Sequence, residues 1–187
     1  MPKNVHANIA EKEMNPISTF LCLCILFGSS WNAFAFDEGD LKKLKATKQC
    51  RKCDLAEAKL TDADLTNADL FLANLAVADL RGANLSGADL TAANLRTVNL
   101  ARAILTDALL LRVKFSAADL FWANLSGANL RWANLRKANL YGANLTGANL
   151  TDTLLLQSNF STANLTGADL TGADLTWAEL TGANLVG

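Results

Sequence analysis

The sequence predicts an all-β solenoid, a fold in which short units stack along one axis, and three observations support this class. A large apolar residue recurs at every fifth position from Leu55 to Leu185, which makes 27 positions, 25 of them Leu. The residue two places earlier is nearly always Ala, and the residue just before is mostly Asp or Asn. A helix or a strand would not keep residues five apart on one side, so each five-residue unit must turn a corner.

The side chains of each unit divide into inward and outward positions, which we number from the recurrent apolar residue as i. Positions i and i−2 are predicted to point inward because they hold Leu and Ala, whereas i−1, i+1 and i+2 hold mostly polar residues. Between Leu55 and Leu185, all eight glycines stand at position i+2. Gly at this position indicates a tight turn that needs a positive φ or a close approach of the backbone.

The motif A-(D/N)-L-x-x, unbroken in register from Asp54 to Leu185, resembles the repeat of the pentapeptide-repeat family. The resemblance implies a right-handed quadrilateral β-helix with four pentapeptides in each coil. Residues 54–187 would then form about seven coils, spaced by about 4.8 Å if neighbouring coils pair as strands do.

Residues 1–35 are predicted to be a secretory signal peptide that is cleaved after Ala35. The apolar run Ile17–Phe27 is followed by small residues and by an A-x-A sequence that begins at Ala33. Translation that starts at Met14 is an alternative, as are a retained anchor and a cytosolic protein with an intact leader. Because the run is short for about 30 Å of hydrocarbon, we expect no stable membrane insertion after cleavage. The predicted location is secreted, either periplasmic or lumenal.

Residues 36–53 are predicted to cover the first coil. A short helix is expected within residues 36–48, with Asp40 as its N-cap and with Leu41 and Leu44 on one face. An uncovered backbone edge invites strand addition, and solenoids therefore cap it. This helix is the predicted cap.

Two cysteines follow the predicted helix, and their register places both of them inward. Cys50 occupies position i of one unit and Cys53 occupies position i−2 of the next. We expect them to fill the core of the cap, as a disulfide in an oxidising compartment or as thiols otherwise. A thiol redox protein is an alternative, but it needs an exposed thiolate. A haem site needs His where Asp54 stands, and a metal site needs two further ligands, so no cofactor or metal is expected.

Aromatic and arginine side chains are predicted to form ladders on the outer wall, because residues 20 apart stack in a four-unit coil. This spacing places Arg112 beside Trp132, Arg102 beside Trp122 and Phe121 beside Tyr141. Arginine with aromatic residues is the composition of binding hot spots. The alternative is that the ladders only stabilise the wall. The candidate interaction surface comprises Arg102, Phe121, Trp122, Arg131, Trp132, Arg136 and Tyr141.

Charge is distributed unevenly along the predicted axis. Residues 54–95 hold seven acids against two bases, residues 96–137 hold seven bases against two acids, and residues 138–187 hold four acids and no base. Some members of the resembled family protect DNA gyrase by imitating duplex DNA, which needs acid along the whole length. The basic belt argues against a cytosolic DNA mimic, which remains an alternative function. The formal net charge of −1 predicts no nucleic-acid partner.

Catalysis is not expected of this chain. Its one His lies in the predicted leader, and a coil filled by Leu and Ala has no cavity that would desolvate a substrate. The acids stand at repeated surface positions, where we expect them to be solvated and to have ordinary pKa values. The predicted function is a non-catalytic structural or protein–protein interaction module with an unknown partner. Similarity to dimeric members of the family also predicts a homodimer through the C-terminal coil.

Overall fold

The computed structural model of the chain describes residues 36–187. The predicted leader, residues 1–35, lies outside the described residues. Cleavage after Ala35 and a start at Met14 therefore stay predictions.

The repeat folds as a coil in which four pentapeptides complete one circuit. Parallel bridges join residues 20 apart throughout, from Gln49↔Asp69 to Asn164↔Asn184. Each bridge residue stands at position i−1, and a turn occupies positions i+1 and i+2. Backbone hydrogen bonds link successive coils on both sides of the bridge. For example, the Leu55 N–H donates to the Asn74 carbonyl (2.7 Å), and the Asn74 N–H donates to the Cys53 carbonyl (2.8 Å).

The four sides of the coil are numbered here by the inward residue that first occupies each one. Face 1 begins with Leu55, face 2 with Leu60, face 3 with Leu65 and face 4 with Leu70, and each face recurs every 20 residues. The two turn residues after a face form a corner, which is named for the two faces that it joins. Corner 1–2 thus begins at residues 56 and 57.

The core is a column of inward side chains, as the fivefold pattern predicts. Position i is buried from Leu55 to Leu165, and both Phe115 and Phe160 are fully buried. Two polar residues at position i−2 are buried as well. The Thr153 hydroxyl donates to the Leu150 carbonyl (2.7 Å), and the Ser158 hydroxyl likewise bonds a core carbonyl. Inward placement of positions i and i−2 is therefore confirmed, and the polar exceptions are satisfied by local hydrogen bonds.

The turn of every unit has the left-handed conformation that its glycines suggested. Every residue at position i+2 from Lys52 to Gly182 has a φ between 54° and 71°. The conformation is not confined to glycine, since Val77 and Trp132 also adopt it. A non-glycine residue pays about 1–2 kcal/mol for it. The stack imposes this cost because the N–H at i+2 donates to a carbonyl of the next coil, as Trp132 does to Thr151 (3.1 Å).

One α-helix, α1, precedes the coils within the described residues and spans Glu38–Thr47. Its N-cap is Asp37, whose carboxylate accepts from the Asp40 N–H (2.9 Å), so the prediction of Asp40 as N-cap is wrong. Asp40 lies in the first turn instead, and its carboxylate accepts from the Asp54 N–H (2.8 Å). Leu44 is buried and Leu41 packs partly buried against the core, as predicted. Asp40 therefore attaches α1 to the first coil.

The last circuit of the coil is more open than the others. Its inward leucines Leu170, Leu175 and Leu180 are partly buried, and Leu185 is 51% exposed. No helix among residues 36–187 combines the length and the apolar character needed to cross a membrane.

Candidate functional site

The Asp and Asn side chains at position i−1 have a structural task that the sequence reading missed. In most units their Oδ1 atom accepts a hydrogen bond from the backbone N–H at position i+1, as Asp69 does from Phe71 (3.2 Å). In most of the units where a Thr follows, its hydroxyl adds a second bond, as Thr146 donates to Asn144 (2.7 Å). These are Asx turns, which the recurrent D/N-L-T/S pattern could have revealed. The acids of the outer wall are therefore mostly parts of the turns.

Some of these side chains also bond to one another between coils. The Asn74 amide donates to Asp54 (2.9 Å), and the Asn94 amide donates to Asn74 (2.9 Å). On face 2, the Asn139 amide donates to Asp119 in the same way (2.9 Å). The ladders thus join coils through side chains in addition to the backbone bridges.

Several acids are perturbed, so the expectation of ordinary pKa values is wrong for them. Hydrogen bonds from the Arg81 guanidinium lower the pKa of Asp79 to about 2. The Lys48 ammonium, 2.8 Å away, holds the pKa of Asp64 well below its usual range. Hydroxyl bonds from Thr residues likewise lower the pKa values of Asp169 and Asp174. These four carboxylates stay ionised at neutral pH, which suits a structural acceptor and not a general acid.

The seven residues of the predicted interaction surface lie on three different corners of the coil. Arg102, Phe121, Trp122 and Tyr141 stand on corner 2–3, whereas Arg131 and Trp132 stand on corner 4–1, and Arg136 stands on corner 1–2. The structure therefore does not bring the seven together in one patch. The linear sequence could not separate them, because neighbours in sequence turn away from each other at every corner.

Corner 2–3 carries an aromatic cluster. Phe121 and Tyr141 are stacked with ring centroids 5.6 Å apart and planes inclined by 16°, as the 20-residue spacing predicts. Trp122 meets Phe121 edge to face at 6.4 Å. Arg102 makes no ring contact with any described residue, so the predicted Arg102–Trp122 pair does not form. Trp122 is 57% exposed.

Corner 4–1 carries a tryptophan whose ring is in contact with two arginines. The guanidinium carbon of Arg112, one coil earlier, lies 5.0 Å from the Trp132 ring centroid, and that of Arg131 lies 4.0 Å away. The Arg112 contact was predicted and the Arg131 contact was not. Arg131 also approaches Asp152 at 3.9 Å, which is a loose and exposed ion pair.

The two cysteines lie in the core below α1 and are joined as a disulfide. The exposed fractions of Cys50 and Cys53 are 0% and 2%. The Asp40 carboxylate lies beside them, and the three groups fall within 4.8 Å of one another. Because the sulfurs are bonded to each other and buried, neither is available as the exposed thiolate that redox exchange requires.

The surface grooves near α1 lie outside the coil interior. One runs along the helix beside Leu41 and Lys45, and another lies between the helix and the first coil beside Lys59 and Asp64. Neither groove contains a side chain whose neighbours would make it a nucleophile or a general base.

Comparison with known proteins gives the following relationships. The family model described as pentapeptide repeats (8 copies) matches residues 49–87, 73–112, 114–152 and 155–187. No curated protein matches the chain.

Solved structures resemble the chain to different degrees. A pentapeptide repeat protein from the Arabidopsis thaliana thylakoid lumen is 40% identical, over 52% of this chain and 68% of that one, with a TM-score of 0.51. HetL, a pentapeptide repeat protein involved in heterocyst differentiation regulation in the cyanobacterium Nostoc, is 39% identical over 72% of this chain and 73% of that one, with a TM-score of 0.44. A trypsin-treated form of QnrB1, a plasmid-mediated fluoroquinolone resistance protein, is 20% identical over 72% and 71%, with a TM-score of 0.59.

Proposed function

Because the chain belongs to the pentapeptide-repeat family, whose members fold as right-handed quadrilateral β-helices, we propose that it is an exported, non-catalytic module for structural support or protein–protein interaction. In this proposal residues 54–187 form about seven coils. Helix α1 and the Cys50–Cys53 disulfide cap the first of these coils.

One observation carries the non-catalytic part of the proposal: the carboxylates with perturbed pKa values and the two cysteines already have structural partners. The inward columns are filled by Leu, Phe and Ala, which leaves the interior to packing. The acids with perturbed pKa values, such as Asp79 and Asp64, are held by Arg81 and Lys48 in a state that favours the carboxylate. What the fold offers to other molecules is its outer wall, with exposed aromatic residues such as Trp122.

The location is proposed from the leader. Residues 1–35 have the apolar run and the A-x-A site of a signal peptide. The Arabidopsis relative, described as a protein of the thylakoid lumen, supports a compartment reached by export. A buried disulfide is also typical of proteins in oxidising compartments.

The two alternatives have less support. The likeness to QnrB1 is at 20% identity and bears on the fold alone. A DNA mimic would need acid on every coil, whereas residues 96–137 hold seven bases and two acids. A thiol redox protein would need a reachable sulfur, and the sulfurs of Cys50 and Cys53 are both buried.

Fractionation of the host, followed by N-terminal sequencing of the protein, tests the proposal. We expect a protein in the exported fraction whose first residue is Phe36. An intact leader on a cytosolic protein would contradict export and would favour the DNA-mimic alternative. A pull-down from the exported fraction would then name the partner.

A homodimer through the last circuit of the coil is part of the proposal. Leu185 is 51% exposed and Val186 is 69% exposed, so a second copy would cover apolar surface there. Light scattering at micromolar concentration should give twice the monomer mass. A clean monomer at that concentration would remove the idea.

A further inference from the structure

The cations of the basic belt converge on one side of the coil. Seven bases occur between residues 96 and 137, and all but Arg102 lie on face 1 or on the two corners that flank it. We call these six residues the basic face: Arg96, Arg112, Lys114, Arg131, Arg136 and Lys137. The convergence follows from the 20-residue circuit, because Arg96 and Arg136 share one column of corner 1–2 and Lys114 stands on face 1 between the corners.

Acids are absent from the same part of the surface. Residues 91–97, 111–117 and 131–137, which form face 1 and its corners in three successive coils, contain no Asp or Glu. The nearest acids on this side lie toward its two ends, with Asp54 in the first coil and Asp152 and Asp174 in later ones. The basic face is therefore short along the axis and wide across it.

Most of these cations form no salt bridge inside the described part of the protein. All six are exposed, and Arg96, Lys114, Arg136 and Lys137 form no salt bridge with any described residue. Lys48, Arg51 and Arg81, in the first coils, all have a carboxylate within 3.0 Å.

Lys114 also interrupts the local hydrogen bonding. It occupies position i−1, where most units place the Asp or Asn that closes the turn. One coil earlier in the same column, the Asn94 Oδ1 atom is buried without a hydrogen-bond partner in the described part of the chain. A buried acceptor without a donor is uncommon in proteins. Around Asn94 and Lys114, face 1 therefore lacks internal hydrogen bonds that other units form, and it exposes a positive charge at the same place.

An aromatic side chain stands at the edge of the same surface. Trp132 is 41% exposed and the guanidinium groups of Arg112 and Arg131 both contact its ring, while Leu154, one coil further along face 1, is 39% exposed. A rigid aromatic residue with arginines around it is the composition that dominates binding energy at protein interfaces.

We propose that the basic face binds an acidic segment of a partner protein that crosses face 1 from one corner to the other. This rests on the proposed role as a protein-interaction module and names the surface and the chemistry of the partner. Between Arg96 and Arg136 the basic face is two coil spacings long, about 10 Å along the axis. A segment that crosses it there reaches cations on corner 4–1, on face 1 and on corner 1–2, and it lies between the acids at the two ends. A duplex nucleic acid or an anionic bilayer lying along the coils would meet Asp54 at one end and Asp174 at the other.

Peptide binding by the purified full-length protein tests the proposal. The probe is a fluorescent decapeptide of Glu and Asp with one Leu, and its anisotropy is followed at low and at physiological salt. Charge reversal by Lys114→Glu should weaken binding about tenfold, since it removes one attraction and adds one repulsion. The matched control is Lys59→Glu, which makes the same substitution at the same repeat position i−1 on face 2, outside the basic face, and should change affinity less than about twofold.

The outcomes separate the alternatives. Lys114→Glu is expected to fold, because Glu179 already occupies position i−1 in this chain. Unchanged thermal unfolding would establish this, and Arg136→Glu is a second test on corner 1–2. Equal losses in Lys114→Glu and Lys59→Glu, or no binding at all, would overturn the proposal. Tighter binding to a 20-base-pair duplex or to phosphatidylglycerol vesicles than to the peptide would overturn the choice of partner. A cytosolic, unprocessed protein that still binds the peptide would contradict only the export.

Discussion

The Trp122 indole ring lies directly over Gly142, the residue that follows it by one circuit of the coil. A Cβ atom added at Gly142 would stand 2.7 Å from the Trp122 Cε2 atom and 2.9 Å from its Cδ2 atom. The ring therefore depends on the absence of a side chain in the next coil. The same relationship recurs without an aromatic, since the Asp107 carboxylate covers Gly127 in the same manner. In these pairs the side chain at position i+2 of one coil lies over the glycine at position i+2 of the next coil.

We predict that Gly142→Ala destabilises the protein more than Gly147→Ala does. Both glycines have a φ of +65°, so both substitutions carry the left-handed penalty of about 1–2 kcal/mol. Nothing lies within 4 Å of a Cβ at Gly147, whereas the one at Gly142 would displace Trp122. Overpacking of this kind typically costs a further 1–3 kcal/mol, roughly. Urea unfolding of the two variants measures the difference.

A double variant identifies the source of that difference. In Trp122→Ala the ring is gone, so the added cost of Gly142→Ala should fall to that of Gly147→Ala. If the two glycine variants were equally stable with Trp122 present, the ring would not be seated over Gly142.

We predict that Leu154→Asn stabilises the protein. Leu154 stands at position i−1 and has no side-chain oxygen that could accept a hydrogen bond. The Leu156 N–H has no acceptor in the described part of the chain. An Asn there would close the Asx turn and lie between Asn134 and Asp174 in the face 1 column. One or two added hydrogen bonds contribute roughly 0.5–1.5 kcal/mol each.

The control for this change is Leu154→Ala, which removes the exposed leucine and adds no acceptor. The free energy of unfolding from urea titrations should rank Leu154→Asn above both Leu154→Ala and the parent chain. An Asn variant no more stable than the Ala variant would mean that the Asx bond does not contribute to these turns.

The fold was predictable from the sequence because its core depends on one repeated spacing. Leu at every fifth position and Ala two places earlier come to face one interior when each unit turns a corner, and the structure buries position i in this way from Leu55 to Leu165. The left-handed turn was predictable at Gly82, because glycine is typical of a positive φ. It was not predictable at Trp132 or Val77, because bulky and β-branched residues disfavour a positive φ. There the hydrogen bonds between coils outweigh the local preference.

The site residues were less predictable, because their grouping depends on the circuit and not on distance in sequence. Phe121 and Tyr141 are 20 apart and stack, so the spacing located them. Arg131 and Arg136 are five apart and lie on different corners, which separates them. The N-cap was misplaced because Asp37 and Asp40 are both acceptable caps by sequence. Only the structure decides between them, since the Asp40 N–H donates to the Asp37 carboxylate and the Asp54 N–H donates to the Asp40 carboxylate.

We predict that stability falls below about pH 4 in part through Asp79. Its pKa is lowered from 3.8 to about 2 by hydrogen bonds from Arg81. Because the folded pKa lies below the unfolded one, the carboxylate stabilises the fold fully above its unfolded pKa. That contribution is lost as the pH falls toward about 2. The guanidinium is 56% exposed, so solvent screening limits the contribution to about 1 kcal/mol or less.

Asp79→Asn is the matched variant for this test, since it keeps the oxygen that accepts from the Arg81 N–H and removes the titration. Melting temperatures between pH 2 and pH 6 should show a shallower acid slope for the variant. The slope should not vanish, because the pKa of Asp64 is also lowered, chiefly by Lys48. Parallel curves for parent and variant would show that Asp79 and Arg81 are not coupled in solution.

Reduction of the Cys50–Cys53 disulfide should weaken the first coil without unfolding the rest. The bond closes a short loop, with a sequence separation of 3, for which the chain-entropy relation gives about 2 kcal/mol. Urea unfolding with and without a phosphine reductant measures this, and the Cys50→Ala/Cys53→Ala variant should be insensitive to the reductant. Both sulfurs are buried below α1, so in the reduced native protein we expect alkylation at the rate at which this end of the molecule opens. Labelling at the rate of an exposed thiolate in folded protein would instead support the thiol redox alternative and would count against a structural cap.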